Sequence, residues 1–181
     1  QYGLRSDGGT HGLVLTKPHV VDLILDLAGY TRDVDLGARS LLEPACGHGA
    51  FLFPAVERLL ASARSHGRRP ADLGDAISAF DIEEANVERT RAALVTSMEK
   101  HGVERRTAKS LVERWVKHGD FLLAPIDRAF DYVVGNPPYI RIEQLAEEIQ
   151  TEYRRRYATL FDRADLYVAF IERSLELLKK N

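Results

Sequence analysis

Residues 136–139 read Asn-Pro-Pro-Tyr, and those four residue types in that order suit one kind of chemistry. A proline pair fixes two φ angles and removes two backbone donors. The Pro137 carbonyl is left in a stiff turn, with no neighbouring N–H competing for what it accepts. Asn136 adds a side-chain carbonyl acceptor. Two acceptors converging beside the flat ring of Tyr139 match an –NH2 on a planar heterocycle stacked on that ring. The same tetrapeptide also serves to end a strand in a proline-rich turn with a partly buried tyrosine.

Three carboxylates stand at comparable places. Glu43 precedes the glycine turn Pro44-Ala45-Cys46-Gly47-His48-Gly49. Glycines let backbone approach a ligand closely and adopt positive φ. The spacing is neither a dinucleotide fingerprint nor a phosphate loop, and an acid at its head suits a cationic or hydroxyl-bearing ligand. Asp81, in Phe80-Asp81-Ile82, falls where one βα unit after a glycine turn grips a ribose diol; the alternative is a helix N-cap. Asp120, in Gly119-Asp120-Phe121, is an acceptor beside an aromatic, or else a loop aspartate beside a core phenylalanine.

Other reactive types read as structural. Nothing near Cys46 in sequence lowers its pKa or serves as its base, so it reads as a small packed turn residue. His48 reads as a turn residue, and the six histidines are scattered without zinc spacing. Arg154-Arg155-Arg156 is the one local basic run. It serves either as a contact to phosphate backbone or as a solvated helix face. Trp115 reads as a core or flank residue.

The elements that position these groups alternate. Thr16 caps a helix over 17–28, with Pro18 in its first turn and Gly29 at its end. Strands are predicted over 40–44, 76–82, weakly over 120–123, and over 130–134. Helices are predicted over 50–65, 84–99, 108–118, 147–157 and 164–179. This alternation argues for an α/β fold: a mostly parallel sheet flanked by helices. In such sheets ligands sit at the C-terminal strand ends, where Glu43, Asp81, Asp120 and Asn136 all fall.

The 181 residues suffice for one domain with a real core, and 45% hydrophobic with 29% charged residues is ordinary for a soluble protein. The net charge of −2 gives no global basic character, so a DNA-binding surface is local or supplied elsewhere. The single cysteine excludes an internal disulfide and fits a cytoplasmic setting. No apolar run approaches the ~20 residues of a membrane span. Residues 1–15 are expected to be mobile, and residues 16–181 to form a catalytic domain that continues beyond this chain.

Together these segments resemble the gamma class of adenine-N6 DNA methyltransferases, which use S-adenosylmethionine (SAM) and often serve in restriction–modification. The resemblance runs from about Gly12 to the C-terminus and implies a Rossmann-like methyltransferase fold. It implies that the 12–18 element, through Thr16, touches the methionine part of SAM. Glu43, Ala45 and Gly47 match the main SAM motif. Asp81 matches the ribose-binding acid, with Ile82 under the adenine. Asp120 and Phe121 match the pair that holds the cofactor adenine, and Phe170 covers it. Asn136, Pro137, Pro138 and Tyr139 match the catalytic tetrapeptide acting on a flipped DNA adenine; the same tetrapeptide also serves SAM-dependent transfer to an amino group in RNA or a protein glutamine, and a non-catalytic nucleic-acid-binding module with this fold is the further alternative. Lys17 stands between Thr16 and Pro18, where the family often has Thr-Pro directly. After Lys180 the family continues with further strands, a second aromatic for the flipped base and a target-recognition domain.

Overall fold

The computed structural model describes residues 16–180. Residues 1–15, expected to be mobile, lie outside the described residues, as do positions 12–15 of the N-terminal element. Pro18 opens helix α1 (Pro18–Leu27), where its fixed φ fits the first turn and its missing N–H costs nothing. Strand β1 (Leu41–Glu43) is fully buried and leads through the glycine turn into α2 (Leu52–Ser65). Strand β2 (Ile77–Asp81) is buried along its whole length and is followed by α3 (Glu84–Lys100) and α4 (Arg105–Trp115). Strand β3 (Val116–His118) forms one edge, and β4 (Tyr132–Val133) lies on the far side of β1. Helices α5 (Glu147–Arg156) and α6 (Tyr167–Leu177) complete the described chain.

The four strands are parallel, in the order β3-β2-β1-β4. From β1 the chain steps outward through β2 and β3, then crosses to the opposite side of β1 to make β4. The strand order reverses there. The C-terminal ends of β1 and β4 thus form a topological switch point, where open α/β sheets bind ligands.

Side-chain alternation along the strands divides the core in two. Leu41, Ile77, Ala79 and Val116 face a layer built with α1, α2, α3 and α4. Leu42, Phe80 and Phe130 face a second layer with α5, α6 and the loops around them. Leu59 of α2 is completely buried; truncating such a leucine to alanine costs about 2–5 kcal/mol. Trp115 is also fully buried, and its indole N–H donates to the Leu73 carbonyl at 3.1 Å, which makes it a core residue.

The structure departs from the sequence expectation between 105 and 124. The helix expected over 108–118 stops at Trp115, and β3 begins directly at Val116. The strand expected over 120–123 is a turn: the N–H groups of Leu123 and Ala124 both bond the Asp120 carbonyl, at 3.1 and 2.8 Å. The physical reason is brevity. Val116, Lys117 and His118 form a three-residue edge strand with only the valine buried, and no breaker separates it from the helix. The fourth strand is also shorter than expected. Phe130 lies outside it and pairs in parallel with Leu178, so the chain after α6 runs beside the segment that leads into β4. Among the described residues no helix is long and apolar enough to cross a membrane.

Candidate active site

The carboxylate of Asp81 ends β2 and organises the glycine turn. Its Oδ2 accepts the Gly47 N–H at 2.7 Å, and its Oδ1 accepts the Glu83 N–H at 2.9 Å and the Asn86 amide at 3.3 Å. The Thr90 hydroxyl donates to the Gly47 carbonyl at 2.9 Å, so the turn is held from both β2 and α3. Gly47 and Gly49 have φ of 49° and 83°. A Cβ on Gly49 would come within 2.7 Å of the Phe53 ring, so only glycine closes this turn. Cys46 is buried in the turn. Burial pushes its thiol up, and the nearby Glu43 and Asp81 carboxylates add to that, which makes it a packing residue.

Glu43 ends β1 in a different state. It is 1% exposed, and its Oε2 has no hydrogen-bond partner among the described residues. Burial, helped by the Asp81 carboxylate, pushes its carboxyl well above the usual carboxylate range. A buried oxygen of this kind is expensive to leave unpaired. An incoming donor, above all an ammonium, would relieve it.

Asn136 follows β4 at the neighbouring strand end. The Val134 N–H bonds the Leu42 carbonyl at 3.0 Å, carrying the β1–β4 pairing up to the corner. A Cβ built on Gly135 would lie 3.6 Å from Glu43 Cγ, so the corner begins against that acid. The Asn136 amide donates to the Thr16 hydroxyl at 3.3 Å, across 120 positions of sequence. Pro137 and Pro138 are half-buried, whereas Tyr139 is 55% exposed, with its ring 5.9 Å from that of Tyr167.

Asp120 lies in the turn after β3. The Gly119 N–H bonds the Asp81 carbonyl at 2.9 Å, which ties the second and third acidic positions together. Asp120 Oδ2 accepts the Tyr153 hydroxyl at 2.5 Å, and Oδ1 accepts the Leu122 N–H at 2.8 Å. Burial pushes this carboxyl up, with the Tyr153 and Leu122 hydrogen bonds opposing. Ala45 and Ile82 are half-buried at the same strand ends. Phe121 and Phe170 are 2% exposed, with ring centroids 5.4 Å apart. Both rings therefore pack in the second core layer rather than facing outward.

The basic run is largely occupied within the chain. Arg154 donates to the carbonyls of Leu160 and Asp162, at 3.2 and 2.7 Å. Arg155 and Arg156 both pair with Glu152, at 2.8 and 2.6 Å. Sequence reasoning missed Tyr153, Thr90, Asn86 and Tyr167. Only Tyr153 carried a signal: with Tyr157 it makes an i, i+4 aromatic pair on an otherwise charged helix, which marks a packed face.

A parallel sheet with this strand order, with a glycine turn after β1 and acids at successive strand ends, has the architecture of SAM-dependent methyltransferases. A solved protein of Listeria monocytogenes, described as a class I SAM-dependent methyltransferase, shares it. The TM-score is 0.56 at 14% identity, over 93% of this chain and 46% of that one. The type IIG restriction endonuclease BpuSI shares it too, with a TM-score of 0.57 at 21% identity, over 96% of this chain and 19% of that one.

The profile of the Eco57I restriction-modification methylase family matches residues 75–181, and the chain belongs to that family. It is 47% identical to the type II methyltransferase M.PaeR7I of Pseudomonas aeruginosa over 97% of its own length. It is 44% identical to M.XhoI of Xanthomonas vasicola over 92%. In both cases the chain spans 31% of the relative's length.

Proposed function

We propose that this chain is the cofactor-binding and catalytic part of a DNA methyltransferase that methylates N6 of adenine and serves in restriction–modification. The observation that carries the reading is adjacency. The Asn-Pro-Pro-Tyr corner stands at the switch point, against Glu43 and across the sheet end from Asp81 and Asp120. A donor site and an acceptor site for one small group then share one end of the sheet.

The residues fit SAM. The unpaired Glu43 oxygen suits the ammonium of its methionine part, and Thr16 stands against the Asn136 amide. Gly47 and Ala45 leave room for close approach, Asp81 accepts from the ribose, and Asp120 accepts from the adenine amino group, with Ile82 alongside. Phe121 and Phe170 contribute by building the wall behind the purine. When bound, the cofactor supplies an electrophilic methyl group on a sulfonium.

On the other side, the Asn136 side-chain oxygen and the Pro137 carbonyl accept hydrogen bonds from the target amino group. These bonds oppose delocalisation of its lone pair into the ring and aim that lone pair at the methyl. Pro138 stiffens the corner, and Tyr139 offers its exposed face for stacking. Acceleration comes from positioning and electrostatics, with no covalent intermediate on the protein. A stacked base in a duplex cannot reach this corner, so the adenine flips out. Of the basic run, Arg155, with 67% of its side chain exposed, is best placed to exchange Glu152 for a DNA phosphate. Target recognition belongs to the length of the relatives that this chain does not span, and a cytoplasmic location follows from a DNA substrate.

The test is product analysis. The full-length protein, SAM and duplex DNA are incubated, and the digested nucleosides are separated. N6-methyladenosine in the deoxy series is expected; methylcytosine, or label transferred only to RNA or protein, would refute the assignment.

A further inference from the structure

We infer that Tyr153 is a positioning residue for the cofactor purine: its hydroxyl holds the Asp120 carboxylate in the orientation that accepts a hydrogen bond from an exocyclic amino group. The inference rests on the cofactor reading above.

Tyr153 is completely buried, yet its hydroxyl is committed to an acid at the ligand-facing edge of the sheet. Asp120 Oδ2 takes that hydroxyl at 2.5 Å and Oδ1 takes the Leu122 N–H at 2.8 Å. With one donor on each oxygen, the carboxylate plane has one orientation. Each oxygen retains a second lone-pair direction. One helical turn later, Tyr157 offers a comparison: its hydroxyl donates to the Leu122 carbonyl at 2.5 Å, a purely structural contact. Arg156 adds a bond to the Leu123 carbonyl at 3.4 Å, and Arg173 of α6 bonds the Ala124 carbonyl. The turn 120–124 is thus clamped by backbone contacts from two helices. The Tyr153 hydroxyl, by contrast, bonds the Asp120 carboxylate rather than a carbonyl of the turn.

The same hydroxyl tunes protonation. Among the described residues the groups facing Asp120 are Tyr153 and Arg156 from α5, Tyr157 just after it and Arg173 from α6, while His118 of β3 is turned to the Ile82 carbonyl. Burial favours the protonated acid; the tyrosine bond and the arginines favour the carboxylate. Without the hydroxyl, Asp120 takes up its proton at higher pH. A protonated acid is a donor, which suits a 6-oxo purine better than a 6-amino purine.

The experiment measures binding of S-adenosylhomocysteine and S-inosylhomocysteine to the full-length protein between pH 5.5 and 8. The wild type is expected to prefer the amino ligand. Tyr153→Phe keeps the ring and should weaken that ligand about tenfold, with little loss for the oxo ligand. The acid limb of amino-ligand binding should begin at higher pH. Tyr157→Phe should leave the ratio unchanged. Site-specific 3-fluorotyrosine at 153, a stronger donor in an intact fold, should move the acid limb to lower pH. Equal losses for both ligands, an unmoved pH profile, or the same ratio change in both phenylalanine variants would overturn the inference. A wild type that binds neither ligand would instead remove the cofactor reading, and the inference with it.

Discussion

Glu43 and Asp81 end neighbouring parallel strands, and both are buried, at 1% and 9% exposure. Their surroundings are opposite. Asp81 accepts two backbone N–H groups and an amide from its own chain, so the folded protein already satisfies it. Glu43 keeps an oxygen with no partner among the described residues. One acid builds the turn, and the other keeps a buried oxygen that the described residues leave unpaired. Two carboxylates that look alike in sequence thus differ in how far the fold itself satisfies them. The Asn136 corner stands on the side of the unsatisfied one.

If chemistry belongs to the Glu43 side, the largest effect should come from the corner beside it. Asn136→Ala is expected to lower methyl transfer by the full-length protein about a hundredfold or more, with cofactor affinity nearly intact, because one preorganised polar contact is lost. Single-turnover rates and calorimetry separate the two quantities. Unchanged turnover would place the chemistry elsewhere. Asp81→Ala probes the other side. It unpairs Gly47, Glu83 and Asn86 together, so cofactor affinity should fall about ten- to a hundredfold and the melting temperature should fall with it. Loss of affinity with no loss of stability would contradict the structural half of the comparison.

A third carboxylate sharpens the contrast from the opposite end of the sheet. Asp131 stands just before β4 and joins Ser40, Arg39 and Lys179, with Lys179 Nζ at 2.7 Å. Burial resists its ionisation, but Lys179, Ser40 and Arg39 outweigh that and hold its carboxyl at about 2. Its folded value lies below the unfolded one. The stability it contributes is therefore present above about pH 4 and lost as pH falls through about 2. The Arg39 and Lys179 partners are half-exposed, so solvent screening reduces the gain. Asp131→Ala is expected to cost about 1–2 kcal/mol by denaturant titration at pH 7, with cofactor affinity unchanged. A matching loss of affinity would show that the two ends of the sheet are not independent.

These distinctions mark the limit of what the sequence discloses. The strand–helix alternation placed Glu43, Asp81 and Asn136 at strand ends, because apolar runs bounded by glycine and proline report such ends well. It misplaced β3, where three residues abut a helix with no punctuation. It gave no sign that Asn136 reaches Thr16, or that Tyr153 meets Asp120, since those pairs form only after the chain crosses the sheet. The run at 154–156 read as either a phosphate contact or a solvated helix face; its pairing with Glu152 and the 160–162 carbonyls depends on helix phase and loop closure. Hydrogen-bond saturation, which separates Asp81 from Glu43, is a property of the assembled turn and of neither residue alone.

The finest test of the comparison is Glu43→Gln, which keeps the shape and removes the titration. The folded-state carboxyl is raised by burial first and by Asp81 second. Its contribution to stability is full below the unfolded value and is lost as pH rises through the folded one. Removing the acid should therefore change little near pH 4. Toward pH 8 it should stabilise the ligand-free protein, by about 1 kcal/mol, or roughly 2–4 °C in melting temperature for a domain of this size. If Glu43 takes the cofactor ammonium as proposed, cofactor reverses the sign: the ammonium compensates the wild-type carboxylate and not the amide, so the ligand-induced rise in melting temperature should be smaller in the variant. Stabilisation without cofactor and weaker response to it belong together, because the same unpaired oxygen causes both. A variant less stable at pH 8 would mean that Glu43, like Asp81, is already satisfied by the fold.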